Sequence, residues 1–136
     1  MKLTMGVLAE AANTTADNKL NILGEFNTLF CDTFPYVFPV MYLVLKLEGS
    51  SAEGGRHRLS LRVVDDDGNL VAPPLSGTVD LGEPLRPGFP IRAQLIMGIH
   101  GAKFDREGEY TFELAVGEHR FDPITLYVLP ASQRTK

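Results

Sequence analysis

Histidine is the first residue type in this sequence that could do chemistry, and the chain has three, His57, His100 and His119. A zinc site needs three or four ligands, usually with some of them close together in sequence, and these histidines have no such neighbours. We single out His100 as a candidate ligand-binding residue, because the glycines of Met97-Gly98-Ile99-His100-Gly101 would let a ligand approach the backbone. The alternative is an ordinary histidine at a strand end, at the surface or partly buried.

The acidic run Asp65-Asp66-Asp67 could bind a hard cation, since Ca²⁺ prefers several oxygen ligands on one loop. The run lacks the alternating acidic positions of an EF-hand, as well as its glycine and final glutamate. Aspartate is also a preferred turn residue, and Asp66-Asp67-Gly68-Asn69 lies between two apolar runs. We interpret the run as a hairpin turn, and we predict no metal site and no cofactor.

Cys31 is the single cysteine, so the chain has no internal disulfide. Its thiol would be a nucleophile if a neighbouring base lowered its pKa, whereas the adjacent Asp32 would raise that pKa. We interpret Cys31 as a packed thiol at a strand end. The sequence also lacks a G-x-S-x-G serine elbow, a G-x-x-x-x-G-K phosphate loop and a dinucleotide fingerprint, and we assign no catalytic residue.

The segment Phe34-Pro35-Tyr36-Val37-Phe38-Pro39-Val40 is a candidate binding surface. Prolines do not donate hydrogen bonds to a sheet, so part of the segment should lie in a loop or on a sheet edge. Its aromatic side chains either pack within the chain or are presented to a partner, and both interpretations stay open. The interface candidates are Phe34, Tyr36, Val37 and Phe38. The expected partner is another protein or a second copy in a homodimer, with the uncharged stretch from Thr4 to Leu8 as an unprotected edge.

Charge and hydropathy exclude two kinds of partner. The chain has 13 Lys+Arg against 17 Asp+Glu, a net charge of −4, so we expect no nucleic-acid partner. Arg56-His57-Arg58, with Arg62, is a small basic patch, which we interpret as a solvated strand face or, alternatively, a weak anion contact. No stretch approaches the roughly 20 apolar residues that span a bilayer. The stretch from Leu3 to Ala9 is too short for a typical secretory signal, and we expect a cytoplasmic protein.

Alternation of apolar and polar residues runs through nearly the whole chain and predicts β-strands. Arg58-Leu59-Ser60-Leu61-Arg62-Val63 is one example. Further inward faces are expected from Met41, Leu43, Leu45 and Leu47, from Tyr110, Phe112, Leu114 and Val116, from Ile91, Ala93, Leu95 and Met97, and from Leu20, Ile22 and Phe26. The predicted strands cover 3–10, 19–27, 40–48, 57–65, 69–72, 75–81, 91–99, 109–116 and 119–129.

Turn chemistry within the last predicted strands is more specific. Gly117-Glu118 suits a two-residue type II′ turn, which would place Leu114 opposite Phe121. Beyond Asp122-Pro123 the apolar residues change phase by one position. Since proline cannot donate to the ladder, we predict a bulge there.

The run Glu107-Gly108-Glu109-Tyr110-Thr111-Phe112 resembles the G-x-Y-x-C pattern of immunoglobulin-like domains, in which a tyrosine at the start of strand F bonds back to the preceding corner. Phe112 replaces the cysteine, and the chain has no tryptophan. The resemblance implies that 91–99, 109–116 and 119–129 are strands E, F and G, and that 19–27 and 40–48 are strands B and C. We predict an all-β fold, a single antiparallel immunoglobulin-like β-sandwich of about eight or nine strands, with a jelly roll as the alternative.

Several strand and turn motifs spread over most of the chain: Asn18-Lys19-Leu20-Asn21-Ile22-Leu23-Gly24-Glu25-Phe26, Phe34-Pro35, Tyr42-Leu43-Val44, Asp65-Asp66-Asp67-Gly68 and Glu107-Gly108-Glu109-Tyr110. Through them the chain resembles a family of short, uncharacterised bacterial proteins. That family has no known activity, so the resemblance implies no catalytic residue.

These observations predict one domain over residues 1–130 and a polar C-terminal tail over 131–136. No residue names a substrate. We expect a non-enzymatic binding or assembly module, as a subunit of a larger bacterial complex. The alternatives are a metal-dependent or hydrolytic enzyme that uses His100 with loop carboxylates, and a carbohydrate-binding module, which would need exposed aromatic residues on a sheet face.

Overall fold

The computed structural model describes residues 1–134, which consist almost entirely of β-strands. Short 3₁₀ turns lie at Ser51–Glu53 and Ala131–Gln133. No helix in this part of the chain has the length and apolar character needed to cross a membrane. The strands are β1 (Lys2–Thr14), β2 (Leu20–Phe26), β3 (Thr28–Cys31), β4 (Tyr36–Gly49), β5 (Gly55–Val64), β6 (Leu75–Leu81), β7 (Ile91–Phe104), β8 (Gly108–Val116), β9 (His119–Arg120) and β10 (Ile124–Pro130).

The strands form two sheets in a sandwich-like arrangement. Sheet A has the order β2-β1-β4-β7, and sheet B has the order β3-β10-β8-β5-β6, with β9 beside β8. The strand pairs are antiparallel except β3 and β10, which run parallel. The expected all-β fold is confirmed at this level.

The core lies between the sheets and collects the apolar side of each alternating strand. Three predicted inward faces are confirmed, because all of their members are buried: Met41, Leu43, Leu45 and Leu47; Leu59, Leu61 and Val63; Tyr110, Phe112, Leu114 and Val116. Burial of one large apolar side chain stabilises the fold by about 1.5–3 kcal/mol. The two sheets therefore share one core, in which β4 faces β5 and β8.

The turn and bulge predicted near the end of the chain are confirmed. Gly117 has φ +59, and the Phe121 backbone N–H donates to the Leu114 carbonyl oxygen at 3.2 Å. The ladder pairs Ala115 with Arg120 but Phe112 with Ile124, so one extra residue lies between the two pairs. This bulge separates β9 from β10 and shifts the inward phase by one.

Two strand predictions need correction. The predicted strand 69–72 is reduced to a single bridge between Leu70 and Val64, because Pro73-Pro74 follows it and supplies no donors. Strand β3 was missing from the prediction, since four residues are too few for alternation to be recognised.

Strand β1 is an inner strand of sheet A from Leu8 onwards, where its ladder with β2 begins. Within residues 1–134, the expected edge from Thr4 to Val7 has no strand on its second side, and a register shift between Leu3 and Met5 interrupts its ladder with β4. That stretch pairs with β4 on one side. On the face turned to sheet B, Gly6 lies against β10, where an added Cβ would be 2.7 Å from Ile124 Cδ1. The small residue therefore permits the close approach of the two sheets at this side of the sandwich.

Sheet A bends where two glycines adopt a left-handed conformation. The β1–β2 ladder omits the pair of Glu10 and Gly24, and Gly24 has φ +69. The β4–β7 ladder omits the pair of Pro39 and Gly101, and Gly101 has φ +68. Proline has no N–H to donate, and glycine reaches this φ at little cost, so both strand pairs bend here.

Beyond the first bend, residues 10–25 form a hairpin arm that folds back over the outward face of sheet A. At the tip of the arm, the Gln94 side-chain amide donates to the Asn18 carbonyl oxygen at 2.9 Å. Gln94 lies directly across the ladder from Lys46, on the face opposite to the core. Val44 also points away from the core and is nevertheless fully buried, which we attribute to coverage by the arm.

The first residues of the predicted polar tail continue directly from β10. They form the turn Ala131–Gln133, after which the Arg134 guanidinium carbon lies 5.9 Å from the centre of the Phe30 ring. Thr135 and Lys136, the last residues of the predicted tail, lie outside the described residues.

Candidate functional site

The aromatic interface candidates precede the bend at Pro39. Phe34 lies just before β4, and Tyr36 and Phe38 lie in its first residues. Phe34, Tyr36 and Phe38 are half-buried and pack against the core. The Phe38 ring stacks on Phe26 at a centroid distance of 5.7 Å. Only Val37, with 51% of its surface exposed, points outward. This packing favours the intramolecular interpretation, and an interface through this segment stays a prediction.

His100 lies on β7, exposed, on the outward face of sheet A and opposite Val40. Its ring folds over Gly98, where an added Cβ would be 3.2 Å from His100 Nε2. Within residues 1–134, one group of acidic or histidine side chains brings three ligand atoms close together, and His100 is not part of it. The glycine at position 98 therefore makes room for the histidine ring itself.

That one group is the acidic run, and its oxygens already have partners. The Asp65 carboxylate accepts the backbone N–H groups of Asp67 at 3.0 Å and Asn69 at 2.9 Å. The Asn69 N–H is the main reason that the pKa of Asp65 is lowered. The Arg106 guanidinium lies 2.5 Å from Asp66 Oδ1 and 2.8 Å from Asp67 Oδ2. The run forms the predicted turn, and Arg106 supplies the positive charge beside it.

Tyr110 occupies the position expected from the immunoglobulin-like pattern. Its buried hydroxyl donates to the Arg106 carbonyl oxygen at 2.6 Å, so the tyrosine does bond back to the preceding corner. Burial is the main cause that raises the pKa of Tyr110. This is a structural contact rather than a reactive one.

Folding brings two of the three histidines to the same residue, Glu53. Glu53 lies 3.1 Å from His119 Nε2 and 2.8 Å from the Met1 amino group. The hydrogen bond from that amino group is the main cause that lowers the pKa of Glu53 to about 2. His57 bonds instead to the Glu53 carbonyl oxygen at 2.6 Å. The arrangement stabilises the 3₁₀ turn at Ser51–Glu53, and no local sequence pattern indicates that His119 contacts it.

Cys31 is buried at the end of β3, as predicted. Burial is the main cause that raises the pKa of its thiol, and the charge of Asp32 adds to it. A thiol with a raised pKa is a poor nucleophile at neutral pH. The packed interpretation of Cys31 therefore agrees with the structure.

The outward face of sheet B carries the predicted basic patch. Arg58 and Arg62 point outward from β5, and Arg62 Nη1 lies 3.6 Å from Glu113 Oε1 on the neighbouring strand. This is the solvated face that the sequence indicated. The same face carries two half-exposed aromatic residues on paired strands, Phe30 on β3 and Tyr127 on β10.

Two further clefts lie at the tip of the hairpin arm. One cleft of about 410 Å³ lies between the arm and sheet A and is lined by Thr4, Asn18, Lys46, Leu47, Glu48, Arg92, Ala93 and Gln94. A second cleft of about 560 Å³ is lined by Asn18, Glu83, Leu85, Phe89, Pro90 and Arg92. Because Asn18 and Arg92 line both, the two clefts adjoin. We call them together the arm cleft.

The first half of the arm cleft carries an excess of positive charge. Glu48 is shared by two cations, Lys2 at 3.6 Å and Arg92 at 3.4 Å. Lys46 is half-buried, and within residues 1–134 it has no carboxylate at ion-pair distance. A lysine ammonium group without a carboxylate partner is free to form a charge-assisted hydrogen bond with an anion.

The second half of the arm cleft is apolar. It is bounded by the proline-rich loop 82–90, in which Leu85 has 93% of its surface exposed and Phe89 is half-exposed. Exposed apolar side chains beside a cleft are a common mark of a binding site.

Sequence reasoning missed the arm cleft, because its residues come from distant segments that only the folded arm brings together. Asn18 adopts a left-handed conformation, φ +64, and its residue type is the one local signal of a tight turn at the tip.

No curated protein matches the chain. The model of a family of unknown function (DUF6941) matches residues 4–129, and the chain belongs to this family.

Proposed function

We propose that the chain is a non-catalytic binding module that holds a small carboxylate-bearing ligand in the arm cleft. The observation that carries the proposal is Lys46, a half-buried cation without a carboxylate partner in residues 1–134, which lines the cleft beside Gln94. The ammonium of Lys46 would bind the carboxylate, while the Gln94 amide nitrogen stays bonded to Asn18 and holds the tip of the arm in place. The apolar half at Leu85 and Phe89 would take the rest of the ligand.

A matched pair of ligands tests this proposal. Phenylacetate carries the carboxylate and an apolar ring, and phenylacetamide has the same shape without the charge. We expect phenylacetate to shift the backbone NMR signals of Asn18, Lys46 and Gln94, and phenylacetamide to bind at least tenfold more weakly. Loss of one charge-assisted hydrogen bond, about 1.5–3 kcal/mol, corresponds to a tenfold loss or more.

Variants assign the effect to the cleft. Lys46→Gln should weaken phenylacetate binding about tenfold or more, whereas Lys103→Gln, at an exposed lysine near Asp105, should leave it unchanged. Equal binding of the acid and the amide, or unchanged binding in Lys46→Gln, would refute the proposal.

A carbohydrate-binding function is the second candidate, and one observation supports it. Phe30 and Tyr127 are half-exposed and lie on paired strands of the outward face of sheet B, where aromatic rings could stack on sugars. Affinity electrophoresis in polysaccharide gels would test it: the wild-type chain should be retarded and Tyr127→Ala should not. The hypothesis of an enzyme based on His100 has less support, since His100 lies outside the acidic cluster.

For the fold we propose immunoglobulin-like connectivity. Its support is the strand order: β1, β4 and β7 in one sheet would be strands A, B and E, and β5, β8 and β10 in the other would be C, F and G. These labels differ from those expected from the sequence for strands B and C, since β5 is the neighbour of β8. A jelly roll is the alternative, and location in the cytoplasm stays a prediction.

A further inference from the structure

Strand β7 forms a long edge of sheet A. It runs for 14 residues and pairs with β4 on one side, and within residues 1–134 no strand pairs with its other side. Beyond the bend at Gly101, the Lys103 backbone N–H donates to the Val71 carbonyl oxygen at 3.2 Å. The free part of the edge therefore corresponds to residues 91–100.

This edge lacks the devices that protect sheet edges from pairing. Proteins protect an edge with charge, proline, a bulge or a short strand. The other edges have such features: the start of β1, before β2 joins it at Leu8, has a register shift between Leu3 and Met5, β2 bends at Gly24, β3 has four residues, and β6 has seven residues with Asp80 near its end. In the free part of β7, Arg92 is the one charged residue, and Ala93 to Ile99 contains neither charge nor proline.

The middle of β7 also leaves apolar surface uncovered. Ile91 and Ile99, near the ends of the free part, are buried on the inward face. Leu95 and Met97 lie between them on the same face and are only half-buried. The inward face predicted for 91–99 is therefore buried at its two ends and only half-buried in its middle.

We propose that two copies of the chain pair through this edge, strand β7 against strand β7, as an antiparallel two-fold dimer centred on Ile96. In this register Leu95 of one copy lies opposite Met97 of the other, so each copy covers the uncovered apolar surface of its neighbour. Such an isologous contact uses each free edge once and closes the assembly at two copies. The proposal does not depend on ligand binding in the arm cleft.

Sedimentation velocity across 1–200 µM full-length chain tests the dimer. We expect wild type to dimerise and Ile96→Lys, which sets two like charges together at the two-fold axis, to raise the dimer dissociation constant at least tenfold. The control Thr78→Lys adds the same charge to the exposed edge strand β6 and should leave dimerisation unchanged. A wild-type monomer at all concentrations, or higher oligomers without a closed dimer, would overturn the proposal.

A second pair of variants decides the matter even if Ile96→Lys does not fold. With Cys31 replaced by Ser, a cysteine introduced by Ile96→Cys lies at the two-fold axis. Mild oxidation should then give a covalent dimer as the main product. Thr78→Cys in the same background is the control. A covalent dimer formed equally by both variants, or by neither, would contradict the register.

Discussion

Arg106 is fixed through both its backbone and its side chain. Its carbonyl oxygen accepts the buried Tyr110 hydroxyl, while its guanidinium contacts Asp66 and Asp67 in the turn after β5. The guanidinium and both carboxylates are about half-exposed, so solvent screens both ion pairs and leaves each of them little net stabilisation. The Tyr110 side chain is buried, and an intramolecular hydrogen bond typically contributes about 0.5–1.5 kcal/mol. The single neutral bond therefore stabilises this corner more than either ion pair.

We predict that Tyr110→Phe lowers the free energy of unfolding by about 1 kcal/mol, because it removes the donor and keeps the ring. Tyr127→Phe, at a half-exposed tyrosine on the outward face of sheet B, should change it by less than about 0.5 kcal/mol. Urea denaturation followed by circular dichroism measures both. Equal effects of the two variants would show that the Tyr110 hydroxyl contributes no special stability.

The two kinds of contact at this corner, the Tyr110 hydrogen bond and the Arg106 ion pairs, differ in how far the sequence could predict them. Tyr110 belongs to a short local pattern, so its position and bond were expected. Arg106 pairs with residues about 40 positions away, and no local pattern encodes that pairing. The same applies to Lys46 and Asn18 in the arm cleft.

At the scale of the element, the bend at Pro39 and Gly101 sets the direction of the first residues of β4 and the last residues of β7. In β7, Ile99 faces the core before the bend, and Ala102 and Phe104 face it after the bend. The two residues between Ile99 and Ala102 are therefore both exposed. The inward phase shifts while the pairing of the two strands continues. The ends of both strands thus turn towards sheet B, where Lys103 meets Val71.

We predict that Gly101→Ala destabilises the protein by about 1–2 kcal/mol, because an L-residue is strained at φ +68. An added Cβ at Gly101 meets open space, so the cost would be conformational rather than steric. Gly77→Ala in β6 is the matched control, since it also opens into space but lacks a left-handed φ. Thermal unfolding of both variants should show a loss for Gly101→Ala alone. A similar loss in the control would remove the bend as its cause.

This bend also explains which strand boundaries the sequence could not supply. Alternation predicted 40–48 and 91–99 as strands, and both are correct as far as they go. Both strands extend further, to Tyr36 and Phe104, but the phase shift at the bend breaks the alternation on which the prediction relied. The folding back of the arm is likewise a long-range event that periodicity does not report.

For the whole molecule, electrostatics links stability to pH through carboxyl groups whose pKa values are lowered. The ammonium of Met1 lowers that of Glu53 to about 2, and the Thr15 hydroxyl and the Asn69 N–H lower those of Asp17 and Asp65. A group with a lower pKa in the folded chain binds fewer protons there than in the unfolded chain. Its stabilisation is present above the ordinary pKa and is lost as pH falls towards the folded value.

We therefore predict that the free energy of unfolding falls as the pH is lowered from about 4.5 to 2, the window set by Glu53. Glu53→Gln keeps an acceptor for the Ser50 N–H but has no charge, so it should be less stable than wild type at pH 6. The difference should shrink towards pH 2. Urea denaturation at several pH values measures it, and a difference that is constant with pH would contradict the assignment.

The buried thiol of Cys31 allows the rate at which β3 detaches from its sheet to be measured. Strand β3 is four residues long and β10 is its one ladder partner within residues 1–134, yet the thiol of its last residue is buried. An aromatic disulfide reagent can reach that sulfur only while this end of the strand is detached. The speed of labelling in the native protein thus reports how often a short parallel strand leaves its sheet, without unfolding the rest of the chain.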